Sequence, residues 1–264
     1  MRYKSAMFDL DGTIHVSGRP YPGALDALAG LAEAGVALLY VSNNSTMTSA
    51  TYAVKLRAMG LGVDDRDVIT SGEVTADWLV AHHRGDRIYA ISEPELAADL
   101  RRRGLTLVEA GDPADVVLAA FDRTFDYAKW TAGLRALKAG ARFVATSPDI
   151  TCPVEDGEIP DCGGIVAALE AVSGRTVDVV VGKPSSIMLD ACLDRLGLQP
   201  ADVLMVGDRL QTDIALGFHG GLDTVLVLTG VATRAEAAVS TTSPTHVIES
   251  IADLPARVLG TAAR

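Results

Sequence analysis

Residues 6–14 read AMFDLDGTI, an apolar run that breaks into Asp9-Leu10-Asp11 and then a Gly-Thr turn. In an extended segment successive side chains alternate faces, so Asp9 and Asp11 share one side and Leu10 takes the other. Two carboxylates this close repel, and each resists ionisation unless a cation or a row of hydrogen-bond donors compensates. The stretch predicts a strand that ends in a site for a compensating partner. Ligands of open α/β sheets bind just beyond such carboxyl ends.

The rest of the chain repeats the form. VALLYVSNN (36–44), DVVVGK (178–183) and DVLMVGD (202–208) are apolar runs that close on polar or charged residues. Helix-period segments separate them. In YPGALDALAGLAEAG (21–35), Pro22 suits a first turn, Leu25, Leu28, Leu31 and Ala32 recur on one face, and Gly35 suits the stop. The expected fold is α/β, a doubly wound, Rossmann-like parallel sheet. Between about 84 and 181, the strand-like RIYAIS, DVVLAAF and RFVATS end without a comparable charged cluster, and helices such as YAKWTAGLRALKAG lie between them. This is read as a second α/β module inserted into the first, leaving a core of 1–83 plus 182–264. DLPARVLGTAAR reads as a last short helix and a frayed tail.

Composition excludes several classes. The 264 residues are 48% apolar and 5% aromatic, which suits an aliphatic-cored α/β protein. A formal charge of −11 repels nucleic acid and anionic membrane surfaces, so an anionic ligand must be captured locally. Cys152, Cys162 and Cys192 are odd in number, lack metal-site spacing and read as reduced thiols. With no leader-like start and no apolar stretch of membrane length, the expected setting is soluble and cytoplasmic. Arg101-Arg102-Arg103 fits the end of a helix, and CPVEDGEIPDCGG (152–164) lacks the ligand ladder of a calcium loop and carries an Asp156-Gly157 hairpin turn. His15 follows the first motif closely and has no assigned role.

GDRLQTDI (207–214) adds Asp208 at a strand end and Asp213 five residues on, expected at the start of a helix. Beside the first strand, these would make four carboxylates facing one crevice. Mg²⁺ resolves that conflict, since it accepts one or two carboxylates and takes a further ligand from a substrate phosphate. Ser42 and the amides of Ser42-Asn43-Asn44 can donate to phosphoryl oxygens, and Lys183 offers a mobile positive charge. An isolated Asp-x-Asp is usually a turn or helix cap. Four elements in this order point instead to phosphoryl transfer.

The ordered set Asp9-Leu10-Asp11-Gly12-Thr13, Ser42, Lys183 and GDRLQTD resembles the four motifs of the haloacid dehalogenase superfamily. VSNNS, TSGEVTADWL, VGKPSSIML and VGDRLQTDI are similar to its NagD-like, p-nitrophenylphosphatase-like branch, whose larger cap lies between the second and third motifs. The resemblance implies a phosphoric monoester hydrolase with Asp9 as nucleophile and Asp11 as acid and base. It implies Mg²⁺ held by Asp9, the Asp11 carbonyl and Asp208, with Asp213 orienting the site from behind them. Ser42, Asn43 and Lys183 would hold the phosphoryl group. Asn44, Asp149 and Thr151 would lie near the leaving group of a small phosphate ester. Proteins of this branch are often homodimers joined through the cap. A phosphotransferase or mutase, and a non-catalytic phosphometabolite-binding protein, are the competing readings of the same fold.

Overall fold

A computed structural model describes residues 2–259. Its larger sheet has six parallel strands in the order His246–Ile248, Asp223–Val227, Val203–Gly207, Ser5–Phe8, Ala37–Ser42, Val68–Thr70. Ser5–Phe8 is hydrogen-bonded on both sides and all four of its residues are buried. Its alternation feeds two cores: Ala6 and Phe8 pack with Leu28, Tyr40 and Val206 on one face, and Met7 packs with Leu39, Val41 and Met205 on the other. Burial of both faces is what a parallel sheet with flanking helices requires.

The chain leaves the first strand to one side and later returns to build the other. Asp9 and Asp208 therefore follow adjacent strands at the point where the strand order reverses, the place where such sheets bind ligands.

The second sheet is a parallel five-stranded one, in the order Val179–Val180, Arg142–Ala145, Val116–Ala119, Arg87–Ile91, Thr106–Leu107. The chain is thus an α/β core sheet with an inserted α/β cap. DVVVGK, grouped above with the strand ends of the core, straddles the expected boundary at 181: its Val179–Val180 pairs with Arg142–Ala145 as an edge of the cap sheet. The apolar run is continuous, so sequence could not show which sheet it joins. Lys183 is consequently delivered to the site from the end of a cap strand.

Two local details also move. The helix Ala24–Glu33 forms and Gly35 follows it at φ +84°, but it buries Ala24, Ala27, Leu28 and Leu31 while Ala32 is exposed. The cap hairpin Thr151–Val154 and Gly157–Pro160 turns on Glu155-Asp156, one residue earlier than expected, with Gly157 at φ +130°. Asp213 falls in the wide turn Leu210–Ile214, where the Ile214 N–H donates to the Arg209 carbonyl five residues back, before the helix Ala215–Gly220. The last helix is Leu254–Leu259, and the tail expected over 260–264 lies outside the described residues. All three cysteines are free, and among the described residues no helix is long and apolar enough to cross a membrane.

Leu28 is 1% exposed in the core beneath the first strand. Leu28→Ala keeps helix propensity and leaves a cavity, so it should cost about 2–5 kcal/mol. Urea denaturation should show a lower midpoint with an unchanged slope.

Candidate active site

The site is built on the four strand ends. Asp9 and Asp11 line a narrow cleft, with Leu10 wholly buried between them in the core. Ser42, Asn43, Asn44, Lys183, Asp149 and Thr151 line the same cleft. Asp208 and Asp213 lie beneath it, 0% and 1% exposed. All the expected residues therefore converge, though in two layers.

Lys183 joins the layers. Its Nζ donates to Asp9 Oδ1 at 2.6 Å and to the Val41 carbonyl at 3.0 Å, and lies 2.8 Å from Asp213 Oδ1. Two hydrogen bonds and one ion pair hold the ammonium. The mobile cation expected from sequence is instead a fixed, fully buried charge. Burial alone would lower the Lys183 pKa, but Asp213 and Asp9 outweigh it and keep the ammonium charged. Burial pushes the carboxyls of Asp9, Asp208 and Asp213 upward; Lys183 opposes this at Asp9 and Asp213, while neighbouring carboxylates reinforce it. One ammonium against three carboxylates leaves the group short of positive charge.

Asp9, Asp208 and Asp213 each offer an oxygen within 4.8 Å of the others. Their remaining contacts differ. Asp213 turns Oδ1 to Lys183 in an ion pair at 2.8 Å, without a hydrogen bond, and accepts the Arg209 N–H on Oδ2 at 3.1 Å. Asp208 accepts the Val231 N–H on Oδ2 at 2.8 Å, while its buried Oδ1 has no hydrogen-bond partner. An orphaned anionic oxygen in an acidic, all-oxygen donor set fits a hard divalent cation such as Mg²⁺. Two glycines make room for Asp208. A Cβ on Gly12, which sits at φ +95°, would lie 2.5 Å from Asp208 Oδ2, and one on Gly230 would lie 2.0 Å from it.

The phosphate-binding candidates are less alike than the sequence suggested. Ser42 Oγ accepts the Asn44 N–H at 3.1 Å, which leaves its hydroxyl hydrogen to donate. The Asn43 side chain is a strut: Nδ2 donates to Asp149 Oδ2 at 3.0 Å and to the Lys183 carbonyl at 3.1 Å, and Oδ1 accepts the Lys183 N–H at 2.8 Å. Asn44 folds onto Thr46, accepting its N–H and hydroxyl on Oδ1. Thr151 gives its hydroxyl to Glu158 and its carbonyl to Arg209.

Sequence reasoning passed over Arg209. Besides holding Asp213 through its backbone, its guanidinium donates to the Thr151 carbonyl at 2.8 Å and approaches Asp149 at 3.9 Å. The available signal was its place directly after Asp208 on a strand end. Tyr52 and Asp161 were also missed. The Tyr52 hydroxyl donates to Asp11 Oδ2 at 3.2 Å from a helix that carried no motif. Asp161 caps the helix Cys162–Ser173 and lies in the cleft wall. It also belongs to the wall of a cap cavity of about 550 Å³, with Phe125, Ile159, Pro160 and Ile165.

Carboxylates and one lysine at the switch point of a doubly wound sheet form an acidic donor set that fits a hard cation. Comparison with known proteins makes this specific. A haloacid dehalogenase-like hydrolase model matches residues 6–106, and a second HAD-hydrolase-like model matches 180–254. The chain is 34% identical over 251 residues to the 5'-nucleotidase YutF of Bacillus subtilis, covering 95% of this chain and 97% of that one. It is 34% identical over 250 residues to a dihydroxyacetone phosphatase of Corynebacterium glutamicum, covering 95% and 90%. The p-nitrophenyl phosphatase of Archaeoglobus fulgidus superposes with a TM-score of 0.88 at 35% identity, covering 98% and 100%. The chain belongs to the haloacid dehalogenase-like hydrolases, as an enzyme of their phosphatase type.

Asp161 provides a test of the cleft's electrostatics. Burial raises its carboxyl from the ordinary 3.8 to about 7, with Asp149 and Asp11 adding to the rise and the Cys162 N–H and Arg209 opposing it. A raised folded-state value means that ionising the group costs stability. The penalty is absent below about pH 4, grows through about pH 7 and reaches at most about 4 kcal/mol above that. Asparagine caps a helix as well as aspartate does. Asp161→Asn should therefore be the more stable protein, by a margin in urea denaturation that widens from pH 5 to pH 8. A pH-independent margin would refute the assignment.

Proposed function

We propose that the chain is a Mg²⁺-dependent phosphomonoester hydrolase that acts on a small phosphorylated metabolite through an aspartyl-phosphate on Asp9. The observation that carries this reading is the group of Asp9, Asp208 and Asp213 around Lys183, in which Asp9 alone reaches the cleft that opens on Ser42 and Asp11.

Lys183 fixes Asp9 Oδ1, while Oδ2 bears only the long 3.4 Å contact from the Thr13 hydroxyl. Oδ2 is the nucleophile. It forms a bond to phosphorus as the ester oxygen leaves, and Asp11 gives that oxygen its proton. Asp11 then removes a proton from water, whose oxygen displaces Asp9 and releases phosphate. Mg²⁺, held by Asp9, the Asp11 carbonyl and Asp208, would neutralise the phosphoryl group and the carboxylates around it. Asp213 holds Lys183 and the Arg209 backbone in place. The Ser42 hydroxyl and the backbone amides near it bind phosphoryl oxygens, with Lys183 as a fixed counter-charge.

The cap, taken as residues 84–181 between core segments 1–83 and 182–264, covers the cleft and selects the leaving group. Contacts of Asp149 and Thr151 with Asn43 and Arg209 support that closure, because they join the two modules across the cleft. Such a covered, narrow site favours small esters over phosphorylated proteins. The named activities of the relatives, on nucleotide, triose and aryl phosphates, support the same substrate size.

Wild type should release phosphate from p-nitrophenyl phosphate with Mg²⁺ and stop with chelator, and Asp9→Asn should lose about 10³-fold or more. Mg²⁺ should also raise the melting temperature of wild type and not of Asp208→Asn, by stabilising only a protein that binds it. Full turnover in chelator, or in Asp9→Asn, would overturn the mechanism. Inactivity across a panel of small phosphate esters would favour a binding protein.

A further inference from the structure

The carboxylate of Asp11 receives one side-chain hydrogen bond among the described residues, from the Tyr52 hydroxyl to Oδ2 at 3.2 Å. Its other oxygen lies 3.3 Å from Nδ1 of His15, without the alignment of a hydrogen bond. Both rings are wholly buried, whereas the Asp11 side chain keeps 19% of its surface open to the cleft. The carboxylate is gripped from the core side and free on the substrate side.

Tyr52 is well placed to hold it. It sits one turn into the helix Ser49–Ala58, whose start is pinned at three points. Thr48 Oγ1 accepts the Thr51 N–H at 3.2 Å, Glu95 accepts the Thr48 N–H at 3.1 Å, and the Ser49 hydroxyl donates to Glu73. Its hydroxyl donates to the carboxylate from a ring that is itself fixed by burial. A group that passes a proton must be held within about 0.5 Å of its productive position. A carboxylate on a loop following a strand lacks that restraint by itself.

We propose that Tyr52 is a positioning residue for Asp11, its hydroxyl fixing the orientation of the carboxyl while the His15 ring blocks rotation on the far side. The inference rests on the reading of Asp11 as acid and base. Tyr52 contacts neither phosphate nor metal in this arrangement, so its effect should be greatest where the leaving group needs a proton.

Leaving-group dependence separates that effect from a structural one. The value of kcat/KM reports the steps up to loss of the leaving group, where an alkoxide needs the proton and p-nitrophenolate leaves without it. Tyr52→Phe, which keeps the ring, should lower kcat/KM about tenfold or more for the alkyl phosphate that wild type uses best. For p-nitrophenyl phosphate the loss should stay under about threefold. Asp11→Asn should show the same contrast with a larger amplitude. Tyr40→Phe, which removes a buried phenol hydroxyl on a core strand outside the cleft, should change neither ester by more than about twofold. Equal losses on both esters in Tyr52→Phe, or no loss on either, would overturn the inference while a contrast in Asp11→Asn left the acid–base reading intact. If Asp11→Asn shows no contrast, the acid–base reading fails and takes this inference with it.

Discussion

Three carboxylates and one ammonium share a space that is closed to water except where Asp9 meets the cleft. Lys183, 1% exposed, holds Asp9 and Asp213, while Asp208, 0% exposed, keeps one oxygen without a partner. Removing a charge from water costs several kcal/mol even in real proteins, and a buried ion pair recovers that only with good geometry and satisfied neighbours. The protein supplies geometry for Lys183 and leaves the charge deficit around Asp208. The deficit explains the glycines at 12 and 230, since any side chain there would displace the carboxylate. It also gives a protein of formal charge −11 a reason to take up a cation before an anionic ester is welcome in the cleft.

The same group links the two modules. Lys183 arrives from the edge of the cap sheet, yet its ammonium reaches core residues, and Asn43 clasps both the N–H and the carbonyl of Lys183. Asn43 then reaches Asp149, and Arg209 reaches Thr151, from the opposite side of the cleft. Polar contacts of this kind are directional and part readily compared with an apolar interface. Catalytic charge and cap position thus share residues, so displacement of the cap would alter the surroundings of Lys183.

Much of this was legible from residue pattern. Apolar runs ending in Asp9, Ser42, Lys183 and Asp208 identified the strand ends, because a parallel sheet buried on both faces needs unbroken apolar strands. Order along the chain identified the family. What stayed hidden depended on partners distant in sequence. Val179–Val180 reads alike in either sheet, and only pairing with Arg142–Ala145 assigns it. Nothing near Asn43 shows that its amide is spent on Asp149, 106 residues on. Lys183 looked mobile because a lysine's freedom is set by its acceptors, and two of the three come from remote segments. Tyr52 carries no motif, and His15, close behind the first motif, could be placed near the mouth of the site but given no role, because its partner Asp11 is fixed by the fold and not by spacing.

The motif at 9–11 shows why such details matter. One residue apart on one strand end, its two carboxylates meet different surroundings. Asp9 is tied to a buried ammonium and the Thr13 hydroxyl. Asp11 faces a neutral phenol and a buried imidazole, whose pKa burial draws below its ordinary value. The fixed cation opposes the rise that burial imposes on Asp9, which suits the nucleophile proposed there. Neutral partners tolerate either protonation state, which suits the acid–base role proposed for Asp11. The opening sequence specifies two like residues; the helix behind them and the lysine beneath them make them unlike.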